Sequence, residues 1–149
     1  MSEPIETQTL IARRAAPLGR AESVLLFAIR RMALDGLNDA HAANALLGLF
    51  GMSYRRPQVL LRAMMGEIAR ASTNTIHVSP CCCMRMTDAE ARLMGLIARA
   101  TTDPRGAHGD LSAMLGTQDC LGALTSAQAV GQAFADLGRP LRNPVFACE

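Results

Sequence analysis

The stretch AESVLLFAIRRMALDGLNDAHAANALLGLFG, residues 21–51, decides the fold. Within it Val24, Leu25, Ala28, Ile29 and Met32 recur at the spacing of one helix face. Leu26 and Phe27 carry apolar surface around the cylinder, so this segment reads as a central, deeply buried helix. Arg30 and Arg31 read as emerging near its end. DGLND, residues 35–39, then makes a turn in which Asn38 or Asp39 can cap a second helix. A short side-chain oxygen there accepts from the free N–H groups of the first turn. In the second helix Ala43, Leu46, Leu47 and Phe50 form one face, and Gly51 is a natural stop. Two helical patterns joined by a tight turn set an all-α expectation.

The rest of the chain continues that pattern. MSYRRP, residues 52–57, reads as a linker, with Pro57 suited to the first turn of a third helix. Leu60, Leu61, Met64 and Ile68 make its apolar stripe, and Arg62, Glu67 and Arg70 face solvent. STNTIHVSP, residues 72–80, breaks the period. Ile76 and Val78 alternate there with His77 and Ser79, which predicts a short extended segment around residues 75–83. Thr87 and Glu90 form a capping box that opens a fourth helix, with Leu93, Met94 and Ile97 inward. TTDPRGAHGD, residues 101–110, reads as a loop before a short helix from Asp110 to Leu115. A last helix is expected from Ser126 to Leu137, capped by Thr125 and ended by Gly138, with Ala127, Val130, Phe134 and Leu137 inward. The expectation is one compact all-α domain of five or six helices over residues 21–138. A lead-in, residues 1–20, precedes it, and a proline-broken extended tail, residues 139–149, follows.

Composition narrows the function classes. A chain of 149 residues is long enough to bury a core. Half of it is apolar and 19% charged, a globular balance. The net charge of +2 is too small to imply a polyanion partner by itself. All fifteen basic residues are arginine, which follows from G/C-rich coding or from selection for carboxylate and phosphate forks. The acidic start has no apolar core of a secretory leader. The longest fully apolar run, VLLFAI, is far short of the ~20 residues a membrane span needs. A cytoplasmic protein without a membrane partner is therefore expected, its five cysteines reduced. Three of those five are contiguous and the count is odd, which disfavours a disulfide framework.

Those contiguous cysteines are the one chemically suggestive feature. In extended backbone Cys81 and Cys83 point the same way while Cys82 faces away. With His77, and with Cys82, Cys120 or Cys148 as reserves, they make a soft ligand set for zinc, copper or an iron–sulfur cluster. Against this, no CxxC occurs, and adjacent cysteines seldom all reach one metal. Arg85 and the positive mouth of the fourth helix would favour thiolate, which supports a redox reading. Cysteine is also a small hydrophobe that fills turns, so packing is the third reading. His41 sits with Asn44, Ala45 and Gly48 on a small face suited to close helix packing, and His108 lies in a Gly-rich, solvated stretch.

Catalytic signatures are absent: there is no Walker loop, dinucleotide fingerprint, nucleophile elbow or zinc-protease helix. No residue set supports an enzyme. ALLGLFGMSYRRPQVLLRAM, residues 45–64, has the order of a helix-turn-helix, with Arg55, Arg56 and Arg62 as candidate nucleic-acid contacts beside Tyr54 and Gln58. Leu47 stands where a small residue is usual and Pro57 where a branched apolar one is, so nucleic acid is disfavoured.

The same stretch together with PCCCMRMT, residues 80–87, resembles a family of small alphaproteobacterial proteins known as a domain of unknown function. The resemblance spans roughly Glu22 to Ala100. It implies a helical fold in a bacterial cytosol, and carries no activity, cofactor or partner with it. Two expectations follow. The first is a non-enzymatic binding or regulatory module whose Cys81–Cys83 segment binds a metal or senses redox state. The second is a structural helical protein pairing as a homodimer, with its cysteines as packing.

Overall fold

The computed structural model describes residues 18–80, 83 and 85–143. Among these, six α-helices follow one another: α1 (Arg20–Asp35), α2 (Ala40–Phe50), α3 (Arg55–Ala71), α4 (Asp88–Arg99), α5 (Pro104–Leu115) and α6 (Leu121–Asp136). No strand interrupts them, so the fold is all-α as expected. The most extensive pairing is α3 on α6, followed by α1 on α2 and α4 on α5.

Local chemistry explains most boundaries. Asp39 caps α2 by accepting from the Ala42 N–H at 2.9 Å. Gly51 ends α2 with φ at 61°, a left-handed backbone that a Cβ would oppose. A single 3₁₀ turn, Gly51–Ser53, then leads almost directly into α3. MSYRRP is thus less a linker than the continuation of a helical corner, and Pro57 is buried in the first turn of α3. At α4 both arms of the capping box form: Glu90 N–H donates to Thr87 Oγ1, and Thr87 N–H donates to Glu90 Oε1.

The core is drawn from all six helices. Leu25, Leu46, Leu61, Met64, Leu96, Leu111, Leu115 and Phe134 are almost wholly buried. Side chains of this size each contribute about 1.5–3 kcal/mol by leaving water. Phe134 meets the edge of Phe50 at a centroid distance of 4.9 Å, joining α6 to α2.

Several expectations need correction. TTDPRGAHGD is mostly helix, because Asp103 accepts from Gly106 N–H and Pro104 stands at the first position of α5. The glycines that suggested a loop lie within that helix. The last helix begins at Leu121, five residues before the expected start, and Thr125 lies inside it, donating back to the Leu121 and Gly122 carbonyls. On α2 the buried face is Ala42, Leu46 and Leu49, while Leu47 is exposed. The face of His41, Asn44 and Gly48 is turned to solvent and not against a neighbouring helix; a Cβ on Gly48 would meet nothing within 4 Å. His108 lies in α5 and is half-buried, not in a solvated loop. Arg30, expected to emerge from α1, is 2% exposed.

Residues 72–80 follow no regular element, and Ile76 and Val78 are half-buried while His77 is exposed. Thr73 N–H and Oγ1–H both donate to the Leu115 carbonyl, and Asn74 Nδ2–H donates to that of Met114. This segment therefore finishes the open C-terminal end of α5 before it crosses to α4.

Candidate functional site

The site grows from the arginine misread at the sequence level. Arg30 lies on the buried side of α1, and its guanidinium is shut away from solvent. It is satisfied internally by four hydrogen bonds. Nε–H donates to Glu90 Oε2 at 2.8 Å and Nη2–H to Glu90 Oε1 at 3.0 Å. Nη1–H donates to the Cys83 carbonyl and Nη2–H to the Arg85 carbonyl, each at 2.7 Å. This is a fork matched to a carboxylate, the geometry arginine provides and lysine does not.

Glu90 is equally occupied. Beyond Arg30, its Oε2 accepts from the Ser79 N–H at 3.0 Å and its Oε1 from the Thr87 N–H at 2.9 Å. Thr87 Oγ1–H closes the loop onto the His77 carbonyl at 2.7 Å. One buried ion pair therefore fixes backbone at 79, 83, 85 and 87, so the segment carrying the cysteines is tied at both ends. Among the described residues no buried side-chain nitrogen or oxygen lacks a partner. A buried pair of this kind is weak evidence for stability; its attested use is in specifying one arrangement.

Beside this clamp lies an apolar groove of about 330 Å³, bounded by α1, α3, α4 and the 76–78 segment. Ile29, Met32, Leu37, Met65, Ile68, Val78 and Leu93 line it, and Glu90 stands in its wall. Its volume is in the range of small-ligand pockets, and its lining is mostly apolar. Glu90 thus belongs to both features: it borders the groove and holds the cysteine-bearing loop. Across Ile76 and Ala89 a second cleft of about 350 Å³ has a mixed lining that includes Asn74, His77, Asp88, Arg92 and Met114.

The candidate ligands of the sequence reading are distributed as follows. Cys81, Cys82 and Cys148 lie outside the described residues. Cys83 is half-buried, with its carbonyl held by Arg30. His77 is exposed and lines the second cleft. Cys120 is 1% exposed at the start of α6, with Sγ 3.6 Å from Ser112 Oγ, so it is part of the core. Arg85 is exposed, and the contact that ties it down is made through its carbonyl. Among the described residues no three His, Cys, Asp or Glu side chains come together as a metal site.

The three arginines of the helix-turn-helix reading have separate surroundings. Arg56 pairs with Asp136 at 2.9 Å, and Arg62 Nε–H donates to the Leu37 carbonyl at 3.0 Å. Hydrogen bonds from Gln132 and Arg56 hold the Asp136 carboxyl below its ordinary pKa. Arg55 is exposed, while Gln58 is buried and Tyr54 packs against the core. Among the described residues no helix is long and apolar enough to cross a membrane.

Sequence reasoning missed Arg30 and the groove. The available signal for Arg30 was its place within an otherwise apolar helix, one residue after the inward Ile29. No periodicity names its partner, which is sixty residues away. Comparison with known proteins adds one finding: a model of a family of unknown function, DUF6628, matches residues 6–144. No curated protein and no solved structure matches the chain.

Proposed function

The chain belongs to the DUF6628 family, and we propose that it is a non-enzymatic binding module. Its groove among α1, α3 and α4 takes an apolar ligand, and its Cys81–Cys83 loop regulates that binding. The observation that carries this reading is the double position of Glu90. The residue that borders the groove is the same one whose buried carboxylate, through Arg30 and Ser79, holds the loop. A change at the loop's thiols, by a soft metal ion or by oxidation, would reach the groove through that clamp.

The test uses an environment-sensitive apolar dye. Binding should disappear in Ala33→Trp or Ala69→Trp, which fill the groove from exposed lining positions and leave the core intact. Equal binding in wild type and both variants would remove the groove reading. Elemental analysis and thiol counting on anaerobically purified protein test the loop. Stoichiometric zinc, copper or iron that is lost in Cys81→Ser/Cys83→Ser identifies the metal form of regulation. Dye affinity that is the same in reduced, oxidised and metal-loaded protein would rule out regulation by the loop.

A second reading, homodimerisation through helices with the cysteines as packing, draws support from Met52 and Val59, which are 89% and 58% exposed around the start of α3. Sedimentation velocity on wild type and on Met52→Asp/Val59→Asp tests it. A dimer that the double variant dissociates supports this reading, and a wild-type monomer overturns it.

A further inference from the structure

We propose that the groove and the second cleft together take one ligand, a single-chain amphiphile with a zwitterionic head. Its tail lies in the groove and its head lies between Asp88 and Arg92. This rests on the groove reading above and names the ligand class.

The two cavities are neighbours. Ile76, Ala89 and Met114 line both, so a single row of side chains separates them. Ile76 and Ala89 are half-buried, so that row reaches the surface. Ala89 has the smallest side chain of the three and sits in the first turn of α4, where a flexible chain can cross. On the groove side the chain meets Met32, Met65, Ile68 and Leu93. Glu90 also lines the groove, but its buried carboxylate is taken up by Arg30, Ser79 and Thr87, so it sets no free charge against a hydrocarbon tail.

The second cleft differs in kind. Asn74 is committed to the Met114 carbonyl and Thr87 to the His77 carbonyl. Three titratable side chains remain for a ligand: His77, Asp88 and Arg92, all exposed. Among the described residues none of the three has a hydrogen-bond or ion-pair partner for its side chain. Asp88 and Arg92 stand one turn apart on α4, with Cβ atoms about 6 Å from each other, a spacing at which they could pair. Left unpaired, they offer both signs of charge to one cleft. A head with a phosphate beside an ammonium answers both, the phosphate on Arg92 and His77 and the ammonium on Asp88. A purely anionic head meets Asp88 as a like charge, and a purely cationic head meets Arg92 as one.

Calorimetry at low salt, below micelle formation, tests the pairing with four probes of one chain length: decylphosphocholine, decanoate, decyltrimethylammonium and decanol. Affinities are read relative to decanol in the same protein, which isolates the head from the tail. Wild type should prefer decylphosphocholine by about fivefold or more, the scale of exposed charge contacts. Asp88→Asn should move the preference to decanoate, and Arg92→Gln should move it to decyltrimethylammonium. Octylphosphocholine should bind wild type about fifteenfold more weakly than decylphosphocholine, since each buried methylene is worth about fourfold. Four probes that bind wild type equally, or a preference that neither variant moves, would overturn the head site while decanol binding leaves the groove reading standing. Wild type that binds neither decanol nor the apolar dye would remove the groove reading and this proposal with it.

Discussion

Replacing Arg30 by methionine removes the fork and leaves Glu90 as an unpaired carboxylate at 2% exposure. Methionine fills much of the same volume and is a good helix former, so the perturbation is electrostatic more than steric. Breaking one partner of a buried pair costs about 3–5 kcal/mol. That is a large part of the 5–15 kcal/mol that holds a domain folded. For a chain of this size it corresponds to a fall in Tm of about 6–20 °C. The Cys83 and Arg85 carbonyls lose their donors as well, so the loss should be concentrated in the loop. Urea unfolding followed by circular dichroism gives the global figure, and hydrogen exchange at residues 79–87 gives the local one. Amides at Ser79 and Thr87, which donate to Glu90, should lose protection. A cost below about 1 kcal/mol with unchanged protection at those two amides would refute the clamp.

Three further outcomes are expected. The bidentate Arg31 contact, aided by the Ala42 N–H, lowers the Asp39 carboxyl pKa from 3.8 to about 2. A depressed folded-state value means the stability Asp39 lends is complete above the unfolded carboxylate value and is lost as pH falls through about 2. Carboxyl NMR should find its midpoint near 2, and a midpoint at 3.8 or above would contradict the pairing. Gly131→Ala should destabilise by about 1 kcal/mol or more despite alanine's helix preference, since its Cβ would stand 2.9 Å from the Ile97 carbonyl oxygen. Gly48→Ala, with open space around it, should instead stabilise by about 0.5–1 kcal/mol, and thermal denaturation of the pair checks both signs. A thiol reagent under native conditions should label Cys83 and leave Cys120 untouched until the protein unfolds, because Cys120 is 1% exposed. Mass mapping showing equal labelling of the two would place Cys120 outside the core.

The helix starts at Asp39 and Thr87 were legible because a cap and its first turn lie within four residues of each other. The same rule misled at residues 101–110, where Gly106 and Gly109 suggested a loop. Asp103 and Pro104 together initiate a helix there, and packing of Ala107 and Leu111 carries it through both glycines. Thr125 misled for a related reason. A hydroxyl that can cap can equally bond back to a carbonyl four residues earlier, and burial of Ala123 and Leu124 selected the second use.

The sequence by itself determined the all-α class, the order of the helices and most of their inward residues. These follow from periodicity and capping, interactions that span one or two turns. The tertiary structure alone decided that Arg30 is buried, that Glu90 serves both a capping box and an ion pair, and that α1, α3 and α4 enclose a groove. Each of those depends on groups brought together from distant parts of the chain. A guanidinium in an apolar helix is tolerated only where folding supplies a carboxylate sixty residues away and backbone carbonyls within reach of its remaining N–H groups.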